Sequence, residues 1–298
     1  MSILLTGATG FIGSYVLKSF LSHTNETIII LKRSFSDISR ISMELLKKNV
    51  VSYDIDCIDL ERIFLENKIE CIIHIATEYG RKENTEHIVL NANLVFPITL
   101  LKLAIKYEVK SFINTDSYFN KKNFSYNFLI DYSLSKKSFL LWLKHYANKI
   151  KIFNLILEHP FGAFDNIKKF TEFVIRKVAI YKEHHIDLTL GAQKRDFIYV
   201  KDIATAYVAV FEYSRISKKE FLSIEVGSGR AITIRTFVEA VKKLSFSPTI
   251  LNFGALPYRD DEIMCSVADN TFLKKIGWEK KYTIEAALKE IFNEYSVR

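Results

Sequence analysis

Three glycines, at positions 7, 10 and 13, follow a short apolar segment and precede an amphipathic one. The apolar segment over 2–6 (SILLT) predicts a β-strand, and the segment over 11–22 predicts a helix. Glycines let such a turn bend tightly and approach a diphosphate, to which the start of the helix presents its backbone N–H groups. Gly7, Gly10 and Gly13 therefore predict a phosphate-binding turn. Because the spacing is G-x-x-G-x-x-G and not the commoner G-x-G-x-x-G, a turn needed only for packing is the alternative.

Short apolar strands alternate with helical segments through the first 160 residues. Further strands are predicted over 26–31, 50–54, 70–75, 109–114 and 151–157, and further helices over 42–48, 60–67, 90–107 (with a kink at Pro97) and 132–148. This alternation predicts an α/β fold with a doubly wound parallel sheet of the Rossmann type. We expect a dinucleotide-binding domain over 1–160. A smaller substrate-binding lobe is predicted over 161–298, with some segments returning to the first domain.

Composition excludes several classes of protein. Hydrophobic residues make up 49% of the 298 residues and charged residues 26%, which excludes a disordered chain. The net charge of +8 is spread without a basic block, so we expect no nucleic-acid partner, whereas a small phosphate-bearing ligand fits. No apolar run approaches the roughly 18 residues of a membrane span. With no leader-like start, the sequence predicts a cytoplasmic protein without a membrane partner. Three cysteines and the pair His184-His185 match no metal-site spacing, so no metal is predicted.

The residues after the second strand bear on the choice of cofactor. Dinucleotide sites place an acid there to bind the ribose 2′-OH, or a basic residue when a 2′-phosphate is present. This chain has Arg33 and Ser34 at that point and no carboxylate. Arg33 can pair with a 2′-phosphate and Ser34 can donate a hydrogen bond to it, which predicts NADP(H) and not NAD(H). The alternative is a solvated basic pair at a strand end.

Tyr132 and Lys136 lie one turn apart on one face of a predicted helix. A neighbouring ammonium stabilises a phenolate, so this pair predicts a pKa for Tyr132 below its reference of about 10 and a usable proton donor near neutral pH. Thr115, Asp116 and Ser117 precede the pair at the end of the fifth strand. The Y-x-x-x-K spacing also arises by chance, and its position after this polar strand end favours a catalytic role.

In this order, the three features resemble the extended short-chain dehydrogenase/reductase family, of the NAD-dependent epimerase/dehydratase type. The resemblance covers nearly the whole chain. Further matching positions are Asp54-Ile55, 73–76 (IHIA), Asn93, Phe161-Gly162, 195–202 (RDFIYVKD), Arg259, Asp269 and Gly277-Trp278. The segments 73–82 (IHIATEYGRK), 114–122 (NTDSYFNKK), 157–159 (LEH) and 252–268 are similar to nucleotide-sugar 4-ketoreductases. That group reduces CDP-linked 3,6-dideoxy-4-hexuloses with NADPH, for O-antigen (lipopolysaccharide) biosynthesis.

The resemblance implies a role for each candidate residue. Tyr132 delivers a proton to the sugar carbonyl oxygen, Thr115 donates a hydrogen bond to it, and Lys136 holds the nicotinamide ribose. The residues implied in cofactor binding are Gly7, Gly10, Phe11, Ile12, Gly13, Arg33, Ser34, Asp54, Ile55, Ala76, Thr77, Asn93, Tyr132, Lys136 and His159. The residues implied in binding the nucleotide-diphosphate sugar are Glu78, Asp116, Ser117, Glu158, Arg195 and Arg259. The two arginines suit its diphosphate.

Other functions stay open at this point. The related 4,6-dehydratases have Thr-Asp-Glu where this chain has Thr-Asp-Ser over 115–117, and the loss of an acid disfavours dehydration. A nucleotide-sugar epimerase with tightly bound NAD would share Tyr132 and Lys136, whereas a non-enzymatic dinucleotide sensor usually lacks one of them. The segment 160–163 (PFGA) departs from the family's Val-Tyr-Gly-Pro and leaves the sugar open. The family also implies a homodimer through the helices over 90–107 and 132–148.

Overall fold

The computed structural model describes residues 2–81, 85–121 and 129–297. Lys82 and Lys122, which end two of the segments compared above, lie outside these ranges. The elements of the first half, in chain order, are β1 (Ser2–Thr6), α1 (Phe11–His23), β2 (Thr27–Lys32), β3 (Val50–Asp54), α2 (Leu60–Glu66), β4 (Ile69–His74), α3 (Glu86–Leu90), α4 (Phe96–Lys106), β5 (Ser111–Ser117), α5 (Ile130–Tyr146) and β6 (Lys151–Leu157).

The second half adds shorter strands and five more helices among the described residues. Its elements are β7 (His159–Phe161), α6 (Phe170–Val174), β8 (His185–Leu188), β9 (Lys194–Arg195), β10 (Phe197–Tyr199), α7 (Val200–Ile216), β11 (Phe221–Val226), β12 (Ile232–Thr233), α8 (Ile234–Leu244), β13 (Ile250–Phe253), β14 (Cys265–Ser266), α9 (Thr271–Lys275) and α10 (Ile284–Ser296). Helices α3 and α6 continue into π-helical turns, Asn91–Val95 and Ile175–Ile180.

Seven strands form the main sheet in the order β11-β6-β5-β4-β1-β2-β3. Strand β1 pairs in parallel with both β2 and β4, so the strand order reverses at β1. Ligands of doubly wound sheets bind at the carboxyl ends of the strands at such a reversal. The predicted fold class is confirmed. No sequence pattern indicated β11, the edge strand that the second half of the chain contributes.

Two compact units account for the chain. The first comprises Met1–Ile156, Ala204–Ile224 and Phe272–Trp278, and the second comprises Leu157–Ile203, Glu225–Thr271 and Glu279–Arg298. Both units are therefore discontinuous in sequence, and most of α7 belongs to the first. Substrate binding by the second unit stays a prediction.

The core of the first unit consists of apolar side chains from the sheet strands and from the helices that pack on them. Four neighbouring strands contribute fully buried side chains to it: Leu4, Ile29, Ile72 and Phe112. The side chains that cover them include Leu100 from α4. Strands buried on both faces are almost continuously apolar, which is why 26–31 and 70–75 are readable as strands from sequence.

Two helical predictions need correction. The helix predicted over 42–48 is only a 3₁₀ turn, Glu44–Leu46, because Met43 and Leu46 are 71% and 79% exposed and no apolar face packs to support a longer helix. A kink is predicted at Pro97, and the irregular turn in the structure comes just before that proline. Pro97 has no N–H for the carbonyl of Asn93, and the chain forms a π-helical turn there, in which the N–H of Phe96 bonds the carbonyl of Asn91.

One helical stretch of the described residues is long and apolar enough to cross a membrane by length and composition alone. The stretch Glu86–Lys106 has 21 residues and contains an 18-residue window with a mean hydropathy of 1.9, which the short apolar runs of the sequence did not lead us to expect. A core helix of a globular protein passes the same test, and Leu100, Leu101 and Ala104 of this stretch belong to the core. The finding is weak evidence for a membrane span.

Candidate active site

The glycine turn joins the end of β1 to the start of α1. Gly7 has a φ of +72°, and a Cβ on it would lie 2.6 Å from the backbone nitrogen of Ala76. A Cβ on Gly13 would lie 2.0 Å from the carbonyl oxygen of Gly7, whereas Gly10 donates its N–H to that oxygen at 3.0 Å. The N-cap residue of α1 is Gly10, which has no side chain to cap the helix. Phe11 is buried and Ile12 half-buried in the first turn of α1, whose N–H groups point out of the helix as an anion site requires.

Thr6 and His74 tie the carboxyl ends of β1 and β4 together. Thr6 Oγ1 accepts the N–H groups of Ile75 (3.1 Å) and Ala76 (3.2 Å), so its own proton goes to His74 Nδ1 at 2.9 Å. This arrangement puts the ring proton of neutral His74 on Nε2. Burial, and secondly the charge of Lys136, hold the pKa of His74 well below its usual value. His74 therefore stays neutral beneath the site.

The residues after β2 and β3 form an ionic cluster. Arg33 Nε donates to Asp56 Oδ1 at 2.6 Å, and the Arg33 side chain is 54% exposed. Ser34 donates its hydroxyl to Asp54 at 2.8 Å, and Lys32 lies 3.4 Å from the same carboxylate. The hydrogen bond from Ser34 is the main reason why the pKa of Asp54 is lowered. Sequence reasoning found Arg33 and Ser34 but missed Asp56, which the D-x-D spacing after β3 could have indicated.

Asn93 fixes the loop that follows β4. Its Oδ1 accepts the Thr77 hydroxyl (3.0 Å) and the Glu78 N–H (2.8 Å), and its Nδ2 donates to the Glu78 carbonyl (2.8 Å) and to Ser135 Oγ (3.1 Å). These four bonds use the full capacity of a side-chain amide. Asn93 therefore holds the loop after β4 in place and links it to α5. Ala76, the first residue of this loop, is half-buried beside Gly7.

Tyr132 and Lys136 both lie on α5, and both are buried, with 5% and 3% of their surfaces exposed. Lys136 Nζ donates to the backbone carbonyl of Thr115 at 3.0 Å. Burial lowers the pKa of Lys136 to about 8, although nearby Asp116 favours its charged form. The ammonium is thereby held at the end of β5.

The expected depression of the Tyr132 pKa is not what the structure shows. Burial raises the pKa of Tyr132 well above its usual value, and nearby Tyr79 and Asp116 raise it further. The Ser117 hydroxyl acts in the opposite direction and lowers that pKa. The physical reason is that Lys136 bonds the Thr115 carbonyl, while the phenol sits among aromatic rings that exclude water. Tyr132 therefore holds its proton at neutral pH.

The hydroxyl of Thr115 is committed to other groups. Thr115 Oγ1 donates to the carbonyl of His74 at 2.7 Å and lies 2.6 Å from the hydroxyl of Tyr207 on α7. Since its proton goes to His74, the remaining bond is one that Tyr207 donates. In this arrangement the Thr115 proton is used within the protein, whereas Ser117 Oγ, two residues along β5, accepts the N–H of Phe119 at 3.3 Å. No sequence signal linked Tyr207 to Thr115.

Asp116 is held in a network of neutral donors. Its carboxyl group accepts bonds from Asn154 Nδ2 (2.9 Å), Asn120 Nδ2 (2.7 Å) and the Ser117 N–H (2.8 Å). Asp116 is 3% exposed, and burial raises its pKa despite these bonds and the charge of Lys136. A carboxyl group so completely bonded is poorly suited to acid–base work on a substrate.

Four of the remaining candidate residues belong to the second unit. Glu158 accepts the Ser266 hydroxyl at 2.7 Å, and its carboxylate lies 3.6 Å from Nδ1 of His159. Arg195 forms a buried ion pair with Glu262, which sequence reasoning missed. Arg259 is exposed, and its carbonyl accepts the N–H of Glu262, so both arginines belong to one local structure.

Ile55 is half-buried, and its N–H bonds the carbonyl of Lys32, which joins the end of β3 to the end of β2. It therefore lies beside Asp54 and Ser34 at the ionic cluster. Among the described residues, no group of three or more His, Cys, Asp or Glu side chains is placed to hold a metal ion.

Comparison with known proteins defines the class. Residues 3–227 match the NAD dependent epimerase/dehydratase family, and the chain belongs to that family. It is 34% identical over 299 residues to a CDP-abequose synthase of Salmonella muenchen, covering 98% of this chain and 97% of that protein. A UDP-glucose 4-epimerase of Caenorhabditis elegans is 26% identical over 343 residues, covering 98% and 97%. The resemblance read from the sequence is confirmed.

Solved structures of related epimerases share the fold. A UDP-glucose 4-epimerase of Thermotoga maritima with UDP-glucose matches with a TM-score of 0.81 at 23% identity, covering 100% of this chain and 99% of that one. A UDP-glucuronic acid 4-epimerase of Bacillus cereus, in complex with UDP-glucuronic acid and NAD, matches with a TM-score of 0.83 at 19% identity, again covering 100% and 99%. At these identities the likeness shows the fold.

Proposed function

We propose that this protein is an NADPH-dependent 4-ketoreductase of a nucleotide-linked deoxy-4-hexulose, with a CDP-linked 3,6-dideoxy-4-hexulose as the first substrate to test. The observation that carries the proposal is the similarity to CDP-abequose synthases at 34% identity over nearly the whole of both chains. The coarser statement, a nucleotide-sugar enzyme of the oxidoreductase or epimerase type that uses a nicotinamide dinucleotide, rests on the same relatives and on the family.

The glycine turn fits a dinucleotide. Gly7 and Gly13 leave a cradle that a Cβ would fill, at the start of a 13-residue helix. Backbone N–H groups of Gly10, Phe11, Ile12 and Gly13 would hold the diphosphate there. The other residues that we assign to the cofactor are Arg33, Ser34, Asp54, Ile55, Ala76, Thr77, Tyr132, Lys136 and His159, with Asn93 acting through the loop it fixes.

The proton chemistry falls to α5 and β5. When bound, the reduced nicotinamide supplies the hydride that turns the ketone into an alcohol. Negative charge then develops on the carbonyl oxygen, and Tyr132, which holds its proton, delivers it there. We assign the hydrogen-bonding role predicted for Thr115 to Ser117, which follows it by two residues on the same face of β5 and whose Oγ accepts the N–H of Phe119. Lys136, fixed by the Thr115 carbonyl, is placed to hold the nicotinamide ribose.

The preference for NADPH depends on Arg33. Its guanidinium is half exposed after β2, where a 2′-phosphate would lie, and only Nε is used in the bond to Asp56. Ser34 and Lys32 add a donor and a second cation. Because Asp54 and Asp56 also lie here, the preference should be moderate.

Arg195 and Arg259 are assigned to the diphosphate of the substrate, and Glu78 and Glu158 to its sugar. A guanidinium can bind a diphosphate through two parallel hydrogen bonds. Arg195 is already oriented by Glu262, so a diphosphate would join a preorganised ion pair. Asp116, fully bonded within its own network, contributes by holding Ser117 in place.

An epimerase with tightly bound NAD is the second candidate, because the UDP-sugar 4-epimerases share the fold over the whole chain. An epimerase tyrosine must first remove a proton from the sugar 4-OH. The CDP-abequose synthase, at 34% identity against 26% for the epimerase of Caenorhabditis elegans, favours the reductase. A non-enzymatic sensor has least support, since Tyr132 and Lys136 are both present.

The test is NADPH oxidation against a panel of CDP-, dTDP- and GDP-linked 4-keto-sugars, with the products identified by NMR. A reductase consumes NADPH in proportion to the alcohol formed. Copurified NAD together with interconversion of 4-epimers, and no NADPH consumption, would establish the epimerase instead. We also expect a homodimer in the cytoplasm, serving surface-polysaccharide synthesis.

A further inference from the structure

The phenol ring of Tyr79 lies nearly parallel to that of Tyr132. The ring centroids are 4.7 Å apart and the ring planes differ by 19°. Phe119 meets the Tyr132 ring edge-on, with centroids 6.2 Å apart. Tyr132 therefore has aromatic contacts on two sides. Such pairs stabilise a defined orientation beyond what burial of area contributes.

The backbone that carries Tyr79 is itself fixed. Glu78 Oε1 accepts the N–H groups of Tyr79 (2.9 Å) and Gly80 (3.2 Å), while Asn93 bonds both backbone groups of Glu78. Gly80 takes a φ of +63°, and a Cβ there would lie 2.7 Å from a methyl group of Val89. The loop thus presents its tyrosine ring from a well-determined position.

A cation accompanies the stacked pair. The guanidinium carbon of Arg81 lies 5.4 Å from the centroid of the Tyr79 ring, within the range of a cation–π contact. This contact restrains the Tyr79 ring further.

We propose that Tyr79 is a positioning residue for the proton donor: stacked on Tyr132, it holds the phenol in the orientation from which its proton reaches the substrate oxygen. The inference rests on the proposed reduction. Proton transfer requires heavy atoms about 2.6–3.2 Å apart, and a misplacement of about 1 Å can cost 10²-fold in rate. The ring also keeps water from the phenol, in line with the direction of the Tyr132 pKa.

Kinetics of paired variants test the role. Tyr79→Phe keeps the stacked ring and should retain kcat within about twofold, whereas Tyr79→Leu should lower kcat at least about tenfold with the KM for NADPH unchanged. Water admitted by Tyr79→Leu should lower the Tyr132 pKa, so activity should be lost at lower pH on the alkaline side. Tyr107→Leu, which removes a tyrosine stacked on Phe64 with centroids 5.6 Å apart, is the matched control.

A readout without turnover separates this proposal from the proposed function. In protein labelled with 3-fluorotyrosine, the ¹⁹F resonance of Tyr132 is assigned by its loss in Tyr132→Phe. The ring current of Tyr79 should shift that resonance, and the shift should persist in Tyr79→Phe and disappear in Tyr79→Leu. Tyr79→Met, which keeps bulk without a ring, replaces the leucine variant if that variant does not fold.

The outcomes are distinct. If the wild type reduces none of the keto-sugars, the proposed function fails, while the resonance still reports on the stack. A Tyr132 resonance that is the same in wild type and Tyr79→Leu overturns the positioning role. Wild-type kcat in Tyr79→Leu, or an equal loss in Tyr79→Phe, also overturns it, because neither result depends on the stacked ring.

Discussion

The hydroxyl of Tyr207 lies 2.6 Å from the hydroxyl of Thr115, and neither side chain is more than 9% exposed. Tyr207 comes from α7, in the second half of the chain, and Thr115 from β5. This bond, together with the one from Thr115 to the His74 carbonyl, joins three elements of the first unit. Thr115, for which the sequence predicts a catalytic hydroxyl, thus also connects these elements, and its catalytic role stays a prediction.

Thr115→Val should destabilise the fold more than it slows turnover. The substitution leaves the buried Tyr207 hydroxyl without its partner, at a cost of about 1–3 kcal/mol in the free energy of unfolding. Urea unfolding measures it. In the double variant with Tyr207→Phe, the destabilisation should fall short of the sum of the two single effects. Additive effects would show that the bond contributes nothing.

Ser117→Ala should behave in the opposite way. Its hydroxyl is the proposed donor to the developing oxyanion, so its loss should lower kcat on the order of 10²-fold, the usual scale for removing such a donor. The midpoint of urea unfolding should shift less than in Thr115→Val. A larger kcat loss in Thr115→Val than in Ser117→Ala would return the catalytic role to Thr115.

Site features that are local in sequence could be predicted, whereas those that depend on contacts between distant residues could not. The turn at Gly7, Gly10 and Gly13 and the pair Tyr132 and Lys136 are local in sequence, so their elements could be predicted. The direction of the Tyr132 pKa depends on Tyr79 and on burial, which no spacing encodes.

Hydrogen-bond and ion-pair partners that are distant in sequence could not be predicted for the same reason. Tyr207 is 92 residues from Thr115, and Glu262 is 67 residues from Arg195. Asp56 was within reach, since it follows Asp54 by two residues, but its bond to Arg33 depends on the register of β2 against β3.

The bond between Arg33 and Asp56 should tune cofactor choice. Arg33→Ala removes the cation facing a 2′-phosphate and should narrow the ratio of kcat/KM for NADPH over NADH. Asp56→Asn removes a negative charge from the same place and should widen that ratio. Arg62→Ala, which removes an exposed arginine paired with Glu66, is the control and should leave the ratio unchanged. Equal affinity of the wild type for both cofactors would contradict the assignment of NADPH.

Lys136 should make stability rise with pH. Its pKa is about 8 in the folded protein and about 10.4 in the unfolded chain, so the unfolded state binds more protons between these values. The contribution of Lys136 to the free energy of unfolding therefore increases between pH 7.5 and pH 9.5. The increase should be smaller in Lys136→Met, measured by urea unfolding without cofactor at both pH values. Equal increases in the two proteins would mean that Lys136 is not held in a buried site.

The exposed apolar side chains of α5 should form a dimer interface. Leu141 and Leu134 are 68% and 54% exposed on this helix. Light scattering of the wild type should give twice 34.6 kDa, and Leu141→Glu should give a monomer. Leu65→Glu, which alters an equally exposed leucine on α2, should stay dimeric. A monomeric wild type would end this prediction.

Tyr132→Phe is the decisive variant for the chemistry. It removes one oxygen and keeps the ring, so the stack on Tyr79 and the packing against Phe119 should survive. The glycine turn and Arg33 are untouched, and NADPH affinity should therefore stay close to that of the wild type. Turnover of the keto-sugar at saturating NADPH should fall on the order of 10²-fold or more, the scale for losing a general acid. If Tyr132→Phe retains most of its activity while binding NADPH normally, another group delivers the proton.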